Sequence, residues 1–146
     1  MLIARASIAA ALMLSLASCE VHVNSDVEAT SRRIRFTVHG PDGSSRQAEK
    51  FYNTGLNPSG PASRAYDAAQ MGQSGRALQI MESEVFANPG HAWSHYDLGI
   101  LYEVAGRWAD AHREAREACR LDRPRGGRCN GRFRREIHFT ETFLPR

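Results

Sequence analysis

The chain has 146 residues, 42% of them hydrophobic and 24% charged, with a net charge of +3 and three cysteines. That length suits one domain with a modest core and is short for a two-domain enzyme. A mean hydropathy of −0.47 excludes a polytopic membrane protein, and the apolar share excludes disorder as a description of the whole.

Arg5 precedes a ten-residue, mostly apolar run from Ile8 to Ala17. One positive charge, a short apolar centre and small residues at its end are the layout of a secretory signal. A spanning helix needs about 20 apolar residues. The run closes on Leu16-Ala17-Ser18-Cys19, which resembles the lipobox of bacterial lipoproteins. The resemblance implies cleavage before Cys19 and lipid on its sulfur. Three acyl chains would then hold the protein to the membrane, each buried methylene contributing about 0.8 kcal/mol. Glu20 stands where such lipoproteins commonly carry an Asp that retains them at the inner membrane. The expected location is therefore the outer membrane, facing the periplasm. Removal of residues 1–18 leaves 128 residues and a charge of +2, Arg5 being the one charged residue lost.

Residues 20–31 are polar and read as a tether from the membrane. From Arg33 to His39 the chain alternates, which sets Ile34, Phe36 and Val38 on one face of a strand. Gly40-Pro41-Asp42-Gly43 is a turn signal. The run Gln47 to Tyr52 admits either a returning strand or a short helix, and the breaker-rich residues 53–61 read as a linker. From Ala62 the period becomes helical, with stretches at 62–71, 76–87, 92–105 and 108–121. Gly72 with Gly75, Pro89-Gly90 and Gly106 separate them. No stretch carries a full apolar stripe, so the helices have to pack side by side to bury anything.

Residues 91–124 carry Leu98, Gly99 and Tyr102 in one helix, Gly106 at the turn, then Trp108, Ala111, Ala115 and Ala118. This pattern closely resembles a tetratricopeptide repeat of 34 residues. Each residue type has a steric reason: Gly99 and Ala111 allow close approach of two helices, Gly106 a tight turn, and Leu98 and Tyr102 fill the seam. His95 departs from the signature at its usual Trp, and Pro124 stands one place late. An earlier, degenerate copy falls 34 residues before, with Gly72, Ala77 and Pro89 in register. The expected fold is mainly α. Residues 19–57 form the tether and a small extended or β segment, 58–91 and 92–125 two helix-turn-helix repeats, and 126–146 an Arg-rich cap. Two repeats fall short of the roughly three normally needed for stability, so flanking segments or a second subunit must cover the exposed end. A homo-oligomer is one such outcome. The tail from Ile137 to Phe143 alternates like a strand, yet Phe133, Ile137 and Leu144 also suit a helix.

With Cys19 lipidated, Cys119 and Cys129 remain as an even pair in an oxidising compartment. A disulfide there would tie the tail to the last repeat helix. His91 and His95 lie four apart and could share a helix face, but zinc takes three or four ligands and no third is near. No metal or cofactor is expected. The nucleophile elbow, P-loop, dinucleotide fingerprint and HExxH motif are all missing, so enzyme chemistry has no support in the sequence.

In tetratricopeptide repeats the first helix of each pair lines a concave groove. The resemblance puts Trp93, Tyr96, Ile100 and Glu103, with Tyr66 of the earlier repeat, on that groove as the protein-binding residues. The competing reading is that so short an array folds its own flanks over them. The leading expectation is a lipid-anchored adaptor that binds another envelope protein or peptide, as a scaffold for envelope or appendage assembly. The alternative is a structural envelope lipoprotein that contacts lipid or cell-wall polymer through its tail. Seven arginines and one acid, Asp122, lie between Arg120 and Arg135. Nucleic acid is set aside by compartment.

Overall fold

The computed structural model describes residues 31–40, 42–123 and 127–145. The leader, Cys19 and the tether up to residue 30 lie outside the described residues, as does Arg125. Two strands come first, β1 (Ser31–His39) and β2 (Ser45–Asn53). Five helices follow: α1 (Pro61–Gln70), α2 (Ser74–Ala87), α3 (Ala92–Val104), α4 (Trp108–Asp122) and α5 (Gly131–Glu141).

β1 and β2 pair antiparallel from Ser31 opposite Asn53 to His39 opposite Ser45. Strict alternation in β1 buries Ile34, Phe36 and Val38, while Arg33, Arg35, Thr37 and His39 face out. The open choice at 47–52 resolves as a strand, because the turn at 40–44 aims it straight back along β1. Gly40 N–H donates to the Ser44 carbonyl, and the Asp42 carboxylate accepts from the Ser44 N–H and hydroxyl. Arg33 and Arg35 both reach across the strands to Glu49.

The helices form two helix-turn-helix units, and the second turn repeats the first at the level of single bonds. Met71, Gly72 and Gln73 donate to the carbonyls of Asp67, Ala69 and Ala68. Thirty-four residues on, Ala105, Gly106 and Arg107 donate to those of Leu101, Glu103 and Tyr102. Gly72 and Gly106 sit at φ +74° and +70°, a left-handed conformation that side chains resist. The repeat is thus a property of the backbone even where the side chains have diverged. Ala77 and Ala111, also 34 apart, are both fully buried at the start of the second helices.

Leu98, Gly99, Tyr102, Ala111, Ala115 and Ala118 are buried between α3 and α4. At Gly99 a methyl group would meet the Ala111 carbonyl oxygen at 3.4 Å and Glu114 Cβ at 3.5 Å, so the helices touch backbone to backbone there. Trp108 is half-buried and stacks on Phe143 with ring centroids 4.0 Å apart.

The tail resolves as a helix. Asn130 caps it by accepting from the Arg132 N–H at 2.9 Å, and Phe133, Glu136 and Thr140 face inward. α5 packs against α4, and the disulfide between Cys119 and Cys129 ties its approach to the end of α4. The molecule is therefore mainly α. Two helix-turn-helix repeats carry an N-terminal two-stranded sheet and a C-terminal helix that bears arginines. No helix among the described residues is long and apolar enough to cross a membrane.

Candidate functional site

Trp93, Tyr96, Ile100 and Glu103 recur every three or four residues and form one stripe of α3. The chain itself covers that stripe. Phe51 of β2 packs on Trp93 and Tyr96, with centroids 5.8 and 6.4 Å apart. From the other side Phe133 of α5 meets the same two rings at 4.8 and 5.3 Å. On α1, Tyr66 packs at a tilt against Tyr52 and donates its hydroxyl to the Arg33 carbonyl at 3.1 Å. Tyr96 is 3% exposed, Ile100 0% and Glu103 2%.

The expectation that these residues line an open protein-binding groove is thereby corrected. Tyr66, Trp93, Tyr96 and Glu103 hold the hairpin and α5 in place, and Ile100 is fully buried. The physical reason is the array's shortness. Two repeats leave large aromatic faces unburied, and covering them with Phe51, Tyr52 and Phe133 removes that surface from water. The sequence signal was present in the apolar alternation of β1, which had to face something.

Beneath the hairpin lies a cluster of charge. Lys50 is ion-paired with Glu136, stands 3.4 Å from Glu103 Oε2, and lies 3.3 Å from the centre of the Phe139 ring. Two carboxyls thus share one ammonium. Burial, followed by the neighbouring carboxyl of Glu136, pushes Glu103 well above the usual carboxylate range. Glu103 held as the neutral acid leaves Lys50 and Glu136 as a balanced pair. Close by, Asp97 accepts from the Asn53 N–H at 2.8 Å and pins the end of β2 to α3. It too is raised by burial, and the buried Tyr52 hydroxyl beside it has no hydrogen-bond partner among the described residues.

His95, at the place of the signature Trp, bridges three segments. Its Nδ1 lies 2.7 Å from Glu114 Oε2 on α4, and its Nε2 lies 2.9 Å from the Pro89 carbonyl oxygen before α3. A carbonyl only accepts and an ionised carboxylate only accepts, so this ring is suited to carry both protons. The Glu114 hydrogen bond accordingly raises its pKa above the ordinary histidine value. His91 turns instead to the Ser94 hydroxyl at 2.7 Å. Among the described residues no three His, Cys, Asp or Glu gather to hold a metal. Tyr102 donates to Glu82 at 2.7 Å and joins the two repeats; burial and that bond push its phenol up to about 12.

Besides clefts of about 740 Å³ along α4 and about 320 Å³ beside the 53–60 linker, two further surfaces are open among the described residues. One is the V between α1 and α2 on the side away from α3, a cleft of about 640 Å³ lined by Ala68, Met71 and Ile80 with Arg64, Arg76 and Glu84 around them. Met71 is 65% exposed, and Phe86 further along α2 is 89% exposed. The other lies between β2 and α5, a cleft of about 630 Å³ with arginines at both ends and Tyr96 among its lining residues. Sequence reasoning named neither surface. Both depend on where the hairpin and α5 come to rest.

No protein-family model matches the chain, and no curated protein matches it. Among solved structures it is similar to the solution NMR structure of a tetratricopeptide repeat domain protein from Salinibacter ruber. The identity is 25% and the TM-score 0.46, over 58% of this chain and 86% of that one.

Proposed function

We propose that the chain is a small, non-catalytic interaction adaptor of the bacterial envelope, carried on lipid at Cys19. It binds a partner protein at the uncapped end of its helical stack. The observation that supports this reading is an asymmetry between the two ends. α3 covers one side of the first helix pair, and α5 covers α4 at the C-terminal end. Among the described residues nothing covers the V between α1 and α2, where Met71 is exposed and Ile80 half-buried. Repeat arrays need their terminal faces covered or made polar. A helix laid into the V would continue the stacking found everywhere else in the molecule, so the occupant is an amphipathic helix of the partner. The mixed ring of Arg64, Arg76 and Glu84 would set its register.

A photoreactive amino acid at position 80, in cells producing the full chain, tests the partner. The expected result is one discrete adduct with another envelope protein, lost when Met71→Asp is added. Adducts with the chain itself, or none, overturn the reading. The anchor is tested separately by Cys19→Ser, which should move the protein from the membrane fraction to the soluble one. Unchanged fractionation overturns the lipid.

A further inference from the structure

We infer that the cleft between β2 and α5 is a docking site for an extended, acidic segment of a partner protein. Arg46 stands at one end, its guanidinium carbon 5.5 Å from the centre of the Phe139 ring and 5.8 Å from that of Phe143. Arg132 lies at the other, 3.8 Å over the Phe51 ring, with Arg135 beside it on α5. The nearby carboxylates are already engaged: Glu49 by Arg33 and Arg35, Glu136 by Lys50. None of these engagements involves Arg46, Arg132 or Arg135, which have no carboxylate partner among the described residues. A guanidinium lying on a ring keeps the N–H groups of its edge free, and that planar fork matches a carboxylate. Tyr96 lines the same cleft, is 97% buried at 3% exposure, and makes no hydrogen bond with any described residue.

The spacing selects the ligand. Arg46 and Phe51 are five residues apart along β2, about 17 Å at the strand rise. A single phosphate or carboxylate cannot touch both ends. An extended stretch of about five residues, with acidic side chains toward each end, spans them at the same rise. The recess itself argues against a bilayer, which presents its phosphates in a plane. This site lies apart from the V between α1 and α2 and does not need it.

The test uses the full chain and a fluorescein-labelled peptide with two aspartates at each end of a short Gly-Ser spacer, read by fluorescence anisotropy. Arg46→Gln and Arg135→Gln should each weaken binding about tenfold, the scale of one lost charge-assisted contact. Arg134→Gln removes the same charge from an exposed position outside the cleft and should leave affinity within about twofold. The pair Met71→Asp with Ile80→Asp should also bind the peptide as the native chain does, so failure here is separate from failure of the open-end interface. Equal losses in the cleft and control variants overturn the proposal. So does binding of the Asn-substituted peptide, inorganic phosphate or phosphatidylglycerol vesicles as tightly as the acidic peptide, or no peptide binding at all.

Discussion

His95 Nδ1 sits 2.7 Å from Glu114 Oε2, at the one position where the second repeat abandons its signature aromatic. The ring ties α3 to α4 and to the loop before it, and does so best when protonated. A histidine raised above its ordinary value adds stability that is complete below the unfolded value and lost as pH rises through the folded one. Asp97 and Glu103, raised by burial, act in the same direction, since the folded chain holds protons the unfolded chain releases. The melting temperature should therefore fall as pH rises above about 4, where the carboxyls of the unfolded chain ionise, and fall further above about 6.5, where its histidine loses its proton. His95→Gln should flatten part of that slope, and a slope unchanged by it would remove the bridging imidazolium.

The shared ammonium makes a separate prediction. Glu103→Gln keeps the shape of the side chain and leaves Lys50 paired with Glu136 alone. At about pH 8 it should gain about 1 kcal/mol, or about 4 °C for a domain of this size. The gain should vanish in acid, where the native carboxyl is protonated in both states. Lys50→Met strands two carboxyls and should cost about 3–5 kcal/mol at neutral pH. Thermal melts of the two variants across pH check both signs.

Gly99 marks a close approach of α3 and α4. A methyl group meets contacts of 3.4 and 3.5 Å, which are ordinary van der Waals distances, so Gly99→Ala should fold with little loss. Gly99→Leu must push the helices apart and should cost about 1–3 kcal/mol. Urea unfolding of the pair distinguishes this geometry from a loose seam, in which both would be tolerated.

The disulfide closes a loop of sequence separation 10, worth about 3 kcal/mol of lost freedom in the unfolded chain. Cys129→Ser should lower stability by up to that amount and raise amide exchange in α5 more than in α1 or α2. Uniform exchange across all five helices would show that the tail is not separately tethered.

How much of this was legible beforehand varies from residue to residue. Gly72 and Gly106 announced the two turns, because a left-handed position favours one residue type and leaves a mark in the sequence. The alternation of Ile34, Phe36 and Val38 announced β1, but nothing local said which face of the helices it would cover. That depends on Phe51 and Phe133 meeting Trp93 from opposite sides, a relation among three distant segments. Lys50 was visible as the only lysine and gave no sign of its burial, since charged side chains have no periodic signature. The choice between strand and helix for the tail hung on the Asn130 cap and on packing against α4, neither of which alternation reports.

The hairpin also dictates an order of events. Lys50 and Glu136 are separated by 86 residues, so the contact that joins β2 to α5 waits until α5 has left the ribosome. The strands emerge first and can pair at once, and each helix pair can form from neighbours close in sequence. Closing the longest loop carries the largest entropic cost and rewards the chain only at the end. The hairpin can dock on α3 through Asn53 and Phe51 before α5 arrives to close the far side. Until then Trp93 and Tyr96 lack the Phe133 ring on their second side, and that interval is when a nascent chain would most need a chaperone.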